Sequence, residues 1–346
     1  MAIAASGAVS FSDLRTEFSG AGAISFSDLY RGGTLIKSNA ANNTATNLAA
    51  SVPASGAINF TNFRGAAKGW RKTFASGATN QNASTIFGSD YGVNYPKEIV
   101  INSGVTLGAT STSEEALEIN SGGIGSITVT NNGTLIGAGG AAGADGGDAF
   151  EALVSCTFVN NGFVYAGGGG GGLGGSGGQG STNVLTYYFS YNESYIWKDH
   201  QEDNWAYYKW AGGGQVNIPR GTTVHNGHYR GSVVDSGPNP AFFRIGRNVT
   251  SYFNGGSGGS GGVGAGYNQS AAAGGSGASG GTNAGAGGAG GTGGGYGASG
   301  SNGNSGANGN SSNGAAGGSG GAGGKYIRGL SFVTFTNNGT VAGGTA

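Results

Sequence analysis

Few side chains in this sequence are placed to do reaction chemistry, and their spacing argues against most of it. Two of the three histidines form His225-Asn-Gly-His228, which could bring two imidazoles to one ion. A His-x-x-His pair without an obvious further ligand falls short of a zinc site, and an Asn-Gly turn flanked by histidines explains it more simply. So few histidines also leave no Ser/His/Asp arrangement to assemble. Glu193, Asp199, Glu202 and Asp203 lie near enough in sequence to suggest the paired carboxylates of glycan cleavage, though the stretch reads better as a contact surface. Gly137-x-Gly139-x-x-Ala142, running into the helix-like Asp148–Leu153, imitates a dinucleotide fingerprint. It lacks the acidic residue expected about 20 positions on and any βαβ frame. Gly323-Gly-Lys325-Tyr326 is no phosphate loop, because Tyr stands where Ser or Thr is needed. Cys156 is the sole cysteine and sits in the apolar run Leu153–Phe158, so it reads as a small buried hydrophobe with no disulfide to make. The expectation is a chain that is not an enzyme, with no catalytic residue, metal or cofactor.

What the sequence does offer is contact chemistry. Tyr187, Tyr188, Tyr191, Tyr195, Trp197, Trp205, Tyr207, Tyr208 and Trp210 crowd residues 185–210, which hold three of the four tryptophans. Aromatics favour strands, so a compact β-core is one reading. The other is a recognition surface, since stiff aromatic area beside acids and amides can hold sugar hydroxyls or protein backbone. These nine residues are the candidates for ligand contact.

A second apolar set lies at the N-terminus. Ser6-Gly-Ala-Val-Ser-Phe-Ser-Asp-Leu-Arg15 recurs as Ala21-Gly-Ala-Ile-Ser-Phe-Ser-Asp-Leu-Tyr-Arg31 and more loosely as Ser55-Gly-Ala-Ile-Asn-Phe-Thr-Asn-Phe-Arg64. Each unit reads as a short extended piece and a capped helical turn. Ser12, Ser27 and Thr61 are the candidate N-caps, and Asp13, Asp28 and Asn62 begin the first turn. Phe11, Leu14, Phe18, Phe26, Leu29, Phe60 and Phe63 cannot be buried by any one unit alone. They pack on each other, on sister chains or on a partner, so the segment is a self-stabilising repeat or a docking segment.

The elements that must position these residues are unusual. The chain has 346 residues, 80 of them glycine, and only 9% are charged, with 16 Lys plus Arg against 16 Asp plus Glu. Such neutrality gives no electrostatic reason to seek nucleic acid or anionic lipid. A hydrophobic fraction of 36% suits several small cores better than one. Met1–Gly7 has no basic n-region or apolar h-region, and no run reaches the roughly 18 apolar residues of a membrane span. The chain is therefore expected to be made in a cytoplasm without a signal peptide, and not to insert in membranes.

β-formers gather around Ile99–Leu107 and Leu117–Gly122, then around Asn-Asn-Gly in Ile127–Ile136, Thr157–Tyr165 and Thr334–Val341. Asn-Gly supplies the positive φ angles of a type I′ turn, so these units are either hairpins or rungs of a solenoid. Between them run glycine tracts, several with glycine in phase every third residue, as at Gly300, Gly303, Gly306 and Gly309. Period three is that of a polyproline-II-type helix; flexible linkers are the alternative. Five prolines exclude collagen. The sequence divides into a repeat segment (1–66), a β-rung region with glycine tracts (67–180), an aromatic insert (181–253) and a glycine-rich region with a terminal strand (254–346).

The Gly-Ala-[Val/Ile]-Ser-Phe-Ser-Asp-Leu units at 7–31 resemble N-terminal segments of tail-associated proteins of tailed bacteriophages. The Thr-x-Thr-Asn-Asn-Gly-Thr pattern followed by glycine tracts is similar to the glycine-rich receptor-binding adhesins at phage fibre tips. That resemblance implies an all-β chain with a polyglycine-II helical bundle, elongated and multi-domain, with residues 1–66 attaching to the virion. It implies a tail location, a host-cell surface receptor (glycan or outer-membrane protein) and other tail proteins as partners. Tail fibres are usually trimers, so it also allows a homotrimer, which no heptad supports here. One departure is that fibre-tip adhesins carry several short variable loops, where this chain has one large insert and one long glycine-rich block. The other readings are a structural virion or baseplate component without receptor contact, and an ice-binding protein, against which the aromatic insert argues.

Overall fold

The computed structural model describes residues 3, 6–18, 20, 22–36, 52–64, 69–191, 196–202, 205–210, 215–219, 230–234 and 242–346. In the N-terminal unit, α1 (Phe11–Phe18) and two 3-10 turns, Phe26–Leu29 and Phe60–Phe63, come from the repeats. Their caps lie two residues earlier than the sequence suggests. Ser10 donates through N–H and Oγ to Asp13 Oδ2 at 2.8 and 2.7 Å, and Asp13 N–H returns a bond to Ser10 Oγ. Ser25 bonds Asp28 in the same way at 2.9 and 2.8 Å, and Asn59 N–H donates to Asn62 Oδ1 at 2.8 Å. The acids close the turn rather than open it, in the reciprocal pattern of a capping box. The Ser10 and Ser25 bonds hold the Asp13 and Asp28 carboxyls below their ordinary range. Leu14, Phe18, Leu29 and Phe63, with Ile36 and Val52, form the core of this unit.

From Trp70 the chain winds into a parallel β-solenoid. Its first rung comprises β1 (Trp70–Phe74), β2 (Ala78–Thr79) and β3 (Gln81–Asn82); its second, β4 (Lys97–Ile101), β5 (Thr106–Gly108) and β6 (Leu117–Ile119). The third is β7 (Ile127–Asn131), β8 (Thr134–Ile136) and β9 (Phe150–Ala152), and the fourth opens with β10 (Cys156–Asn160) and β11 (Phe163–Tyr165). Equivalent strands pair in parallel, so Ile99, Val129 and Phe158 fall in one column and Leu107, Leu135 and Val164 in another. These residues are buried and alternate with half-buried neighbours, the period-two pattern of a strand with one inward face. Cys156 lies in the same core, as expected, and burial pushes its thiol up to about 12.

The Asn-Asn-Gly units are corners between rungs, not hairpins. None of Asn132, Gly133, Asn161, Gly162, Asn338 or Gly339 has a positive φ. Asn131 Oδ1 instead accepts Gly133 N–H at 3.1 Å, and Asn160 and Asn337 do the same for Gly162 and Gly339. The amides then stack between rungs, Asn131 Nδ2 donating to Asn160 Oδ1 at 2.8 Å and Asn160 Nδ2 to Asn337 Oδ1 at 2.7 Å. A parallel ladder joins Asn132, Asn161 and Asn338 on the outside. Asn131 and Asn160 are fully buried, so each unpaired amide there would carry a desolvation cost. The helix-like reading of Asp148–Leu153 fails too, because Phe150–Ala152 is β9.

After β11 the chain leaves the solenoid and returns far later. β18 (Lys325–Ile327) contacts β9, β19 (Val333–Asn337) pairs in parallel with β10, and β20 (Thr340–Ala342) pairs with β11. The last rung is therefore supplied by residues more than 170 positions on, as in the Asn160–Asn337 bond with its separation of 177. The regions 67–180 and 254–346, distinct in sequence, share sheets and form one hydrogen-bonded unit.

The glycine tracts between them are hydrogen-bonded segments rather than linkers. Residues 167–179 lie at their centre, and each phase of the three-residue repeat faces a different neighbour. Gly168, Gly171, Gly174 and Gly177 donate to carbonyls at 265, 262, 259 and 256, at 2.7–2.9 Å. Gly169, Gly172, Gly175 and Gly178 donate to carbonyls at 298, 301, 304 and 307, while their own carbonyls accept from Gly294, Gly291, Gly288 and Gly285. Gly170, Leu173 and Ser176 accept from Gly321, Gly318 and Ala315. A Cβ on Gly171, Gly172 or Gly174 would collide with a neighbouring carbonyl oxygen. The exceptions in this tract, Leu173, Ser176 and Gln179, fall three apart and face outward.

On the outer face of the third sheet, Arg328 lies 3.3 Å from Glu151, 3.6 Å from Asp148 and 3.7 Å from Glu115. Burial, then the charges of Glu151 and Glu118, push Glu115 up to about 7.

Two outcomes follow. Gly171→Ala should destabilise the chain by more than about 4 kcal/mol in denaturant melts, since a backbone carbonyl cannot yield, whereas Leu173→Ser should stay within about 0.5 kcal/mol. Glu115 binds its proton more tightly folded than unfolded, so its contribution is complete below about pH 4.5 and is lost as pH rises toward 7. The melting temperature should fall across that window, and Glu115→Gln should remove most of the slope.

Candidate functional site

Turns interrupt the 255–324 block where the glycine phase breaks, and they gather at two ends. Tyr267-Asn268-Gln269 and Tyr296 turn the chain beside the solenoid. Thr282-Asn283 and Asn310-Ser-Ser-Asn313 turn it at the far end, where the central segment passes into the insert at Gly180. The 255–324 block is thus divided by short turns into several segments.

The root of the insert is held by side chains from these far turns. Ser181 N–H donates to Asn310 Oδ1 at 2.7 Å, while Asn310 Nδ2 and Asn283 Nδ2 donate to Ser181 O at 3.0 and 3.1 Å. Gln179 N–H donates to Ser312 Oγ at 2.7 Å, and Asn310 N–H donates to Asn283 O at 3.0 Å. Asn283 sits at φ 57°, a left-handed position that asparagine tolerates better than most residues. None of Ser181, Asn283, Asn310 or Ser312 stood out in the sequence; the break in glycine phase at 282–283 and 310–313 was the available signal.

The insert leaves and re-enters as an antiparallel ribbon, β12 (Gly180–Tyr191) against β17 (Phe242–Phe253), with Gly180 opposite Phe253. β16 (Arg230–Val234) adds to β17, and β13 (Ile196–Glu202), β14 (Trp205–Trp210) and β15 (Gln215–Pro219) form an antiparallel meander. Tyr187, Tyr188 and Tyr191 lie on β12, with a bulge in register between Tyr187 and Phe189. Trp197 lies on β13 opposite Lys209, and Trp205, Tyr207, Tyr208 and Trp210 lie on β14, opposite Glu202, His200, Lys198 and Ile196. Eight of the nine contact candidates therefore fall on strands of the insert, while Tyr195 lies outside the described residues. So do His225, His228, Glu193 and Asp203; Asp199 and Glu202 are on β13.

The N-terminal candidates divide in two. Leu14, Phe18, Leu29 and Phe63 are interior residues, at 0–2% exposure, and serve the unit itself. Phe11, Phe26 and Phe60 come from equivalent positions of the repeats and meet as a triangle of rings at 4.9, 5.0 and 5.4 Å. Phe11 is exposed and the other two are half-buried. One aromatic facet, rather than all seven residues, is available to a partner.

Among the described residues there is no group of three or more His, Cys, Asp or Glu that could hold a metal, and no helix is long and apolar enough to cross a membrane. Removing the insert clamp should be a local event. Asn310→Ala should speed amide exchange at Ser181 by several-fold, equivalent to about 1 kcal/mol for the lost bonds, with little change in the global melt.

No family model matches the chain, and no curated protein matches it. Among solved structures it is similar to the gp37-gp38 adhesin tip complex of the bacteriophage S16 long tail fibre. That likeness is 16% in identity, covers 84% of this chain and 87% of that chain, and has a TM-score of 0.35.

Proposed function

We propose that this chain is a bacteriophage tail-fibre or tail-tip adhesin that binds a host-cell surface receptor through its aromatic insert and attaches to other tail proteins through its N-terminal unit. The observation that carries the reading is the placement of the insert. Its root is clamped among turns at the end of the glycine segments opposite the solenoid. An aromatic surface on a stiff support loses little conformational entropy on binding. We also read the glycine segments as polyglycine-II helices. Their three-residue hydrogen-bond phase and their packing without side chains support that assignment.

The Phe11, Phe26 and Phe60 facet suits the attachment role. Three quasi-equivalent units in one chain offer three similar contacts. They would meet a three-fold partner surface without this chain itself forming a homotrimer. The ice-binding reading draws some support from Thr128, Thr157 and Thr334, which align across adjacent strands. That row ends at Glu98, ion-paired with Arg71 at 2.5 Å, so it makes a short and interrupted face.

Phage particles carrying a chain without residues 185–210 should assemble normally yet lose adsorption to host cells by at least tenfold. Particles with Phe11, Phe26 and Phe60 all changed to Ser should instead lack the chain in purified tails. Undiminished adsorption after the deletion would reduce the protein to a structural virion component.

A further inference from the structure

We propose a second binding site, for an uncharged saccharide, in a groove on the outer face of the second sheet. It lies beside the solenoid, at the end of the glycine segments opposite the insert, and is independent of the receptor reading above. The groove has a volume of about 560 Å³ and is lined by Tyr267, Tyr296, Asn268, Gln269, Thr106 and Ile136 among others, none of them charged. Small-ligand sites usually occupy about 300–1,000 Å³ and combine aromatic walls with a few placed polar groups.

Both tyrosines are held in position by the fold. Tyr267 rides on a tight turn in which Gly266 N–H donates to Gln269 O at 2.8 Å and Gln269 N–H returns to Gly266 O at 3.0 Å. Its own N–H donates to Gly137 O at 3.0 Å, and Gln269 Nε2 donates to Gly264 O at 2.8 Å. The ring lies across Gly108 of β5, where any Cβ would strike it. Asn268 takes the left-handed position of the turn at φ 54° and is exposed. Tyr296 stacks on Tyr165 with ring centroids 5.0 Å apart and planes 16° from parallel. It remains 40% exposed, so the face away from Tyr165 is open to the groove. Phe163, 45% exposed, extends the aromatic row 5.6 Å from Tyr165.

The chemistry of the lining selects the ligand. An aromatic face carries negative charge density and attracts the C–H face of a pyranose ring, while amides and hydroxyls at the rim bond its hydroxyls. With no cation in the lining, phosphate or carboxylate would gain nothing there. With no carboxylate, a basic ligand would meet only the rings and no counter-charge. A neutral oligosaccharide satisfies both the rings and the amides.

Isothermal titration of the full chain with cellohexaose, maltohexaose and chitohexaose, and with hexagalacturonate as the charged comparator, tests this. At least one neutral hexasaccharide should bind saturably at one site, and hexagalacturonate at least tenfold more weakly. Tyr296→Ala should weaken binding at least tenfold, while Tyr252→Ala, at a ring exposed on the insert ribbon, should leave it unchanged. Asn268→Gly keeps the left-handed turn and removes only the amide, so it should cost several-fold with the melting temperature unaltered. Absence of saturable binding by all three neutral sugars, equal binding of the uronate, or indifference to both groove variants would overturn the proposal. Deleting the insert should leave this binding intact, which separates its fate from that of the receptor reading.

Discussion

A buried amide that cannot reach water must find a carbonyl, and in this protein long stretches of chain find one only because no side chain stands between them. The central segment 167–179 donates to and accepts from neighbours on most of its sides. Ordering glycine costs more backbone entropy than ordering any other residue. Each hydrogen bond returns a net of only about 0.5–1.5 kcal/mol, so the lattice stands only if nearly every amide is used. The three-residue phase is the consequence. Side chains are admitted where the phase points outward, as at Leu173, Ser176 and Gln179, and nowhere else along that tract.

The solenoid and the glycine body depend on each other in the same way. β10 needs β19 as its outer neighbour, and the stacked amides of Asn131, Asn160 and Asn337 run through that junction. β19 can arrive only after the chain has laid down the segments between 254 and 324. Contacts of such sequence separation delay folding, because closure entropy is spent before the contact is made. Arg328, beside Glu115, Asp148 and Glu151, adds an ionic tie at the same return point.

Much of this was legible in the sequence. Strand content, the repeats and the period of three could be read from residue spacing, because each reflects local geometry. The choice between hairpin and rung could not, since Asn-Gly suits a type I′ turn in isolation. It was decided by partners 29 and 177 residues away, as at Asn131–Asn160 and Asn160–Asn337. Ser10 and Ser25 were missed as caps because each repeat offers two serines, and only the reach of Asp13 and Asp28 selects between them. The insert root escaped notice for a different reason. Asn283 and Asn310 look like ordinary turn residues until Ser181 is brought beside them.

The pairing of Gly180 with Phe253 places the two ends of the insert side by side. Everything between them hangs from a closed doorway, and the entropy of closing a loop grows only with the logarithm of its length. A lineage carrying this chain can therefore lengthen, shorten or exchange the whole cassette while the lattice beneath it folds as before. Change within the insert is thereby uncoupled from the stability of the lattice that carries it.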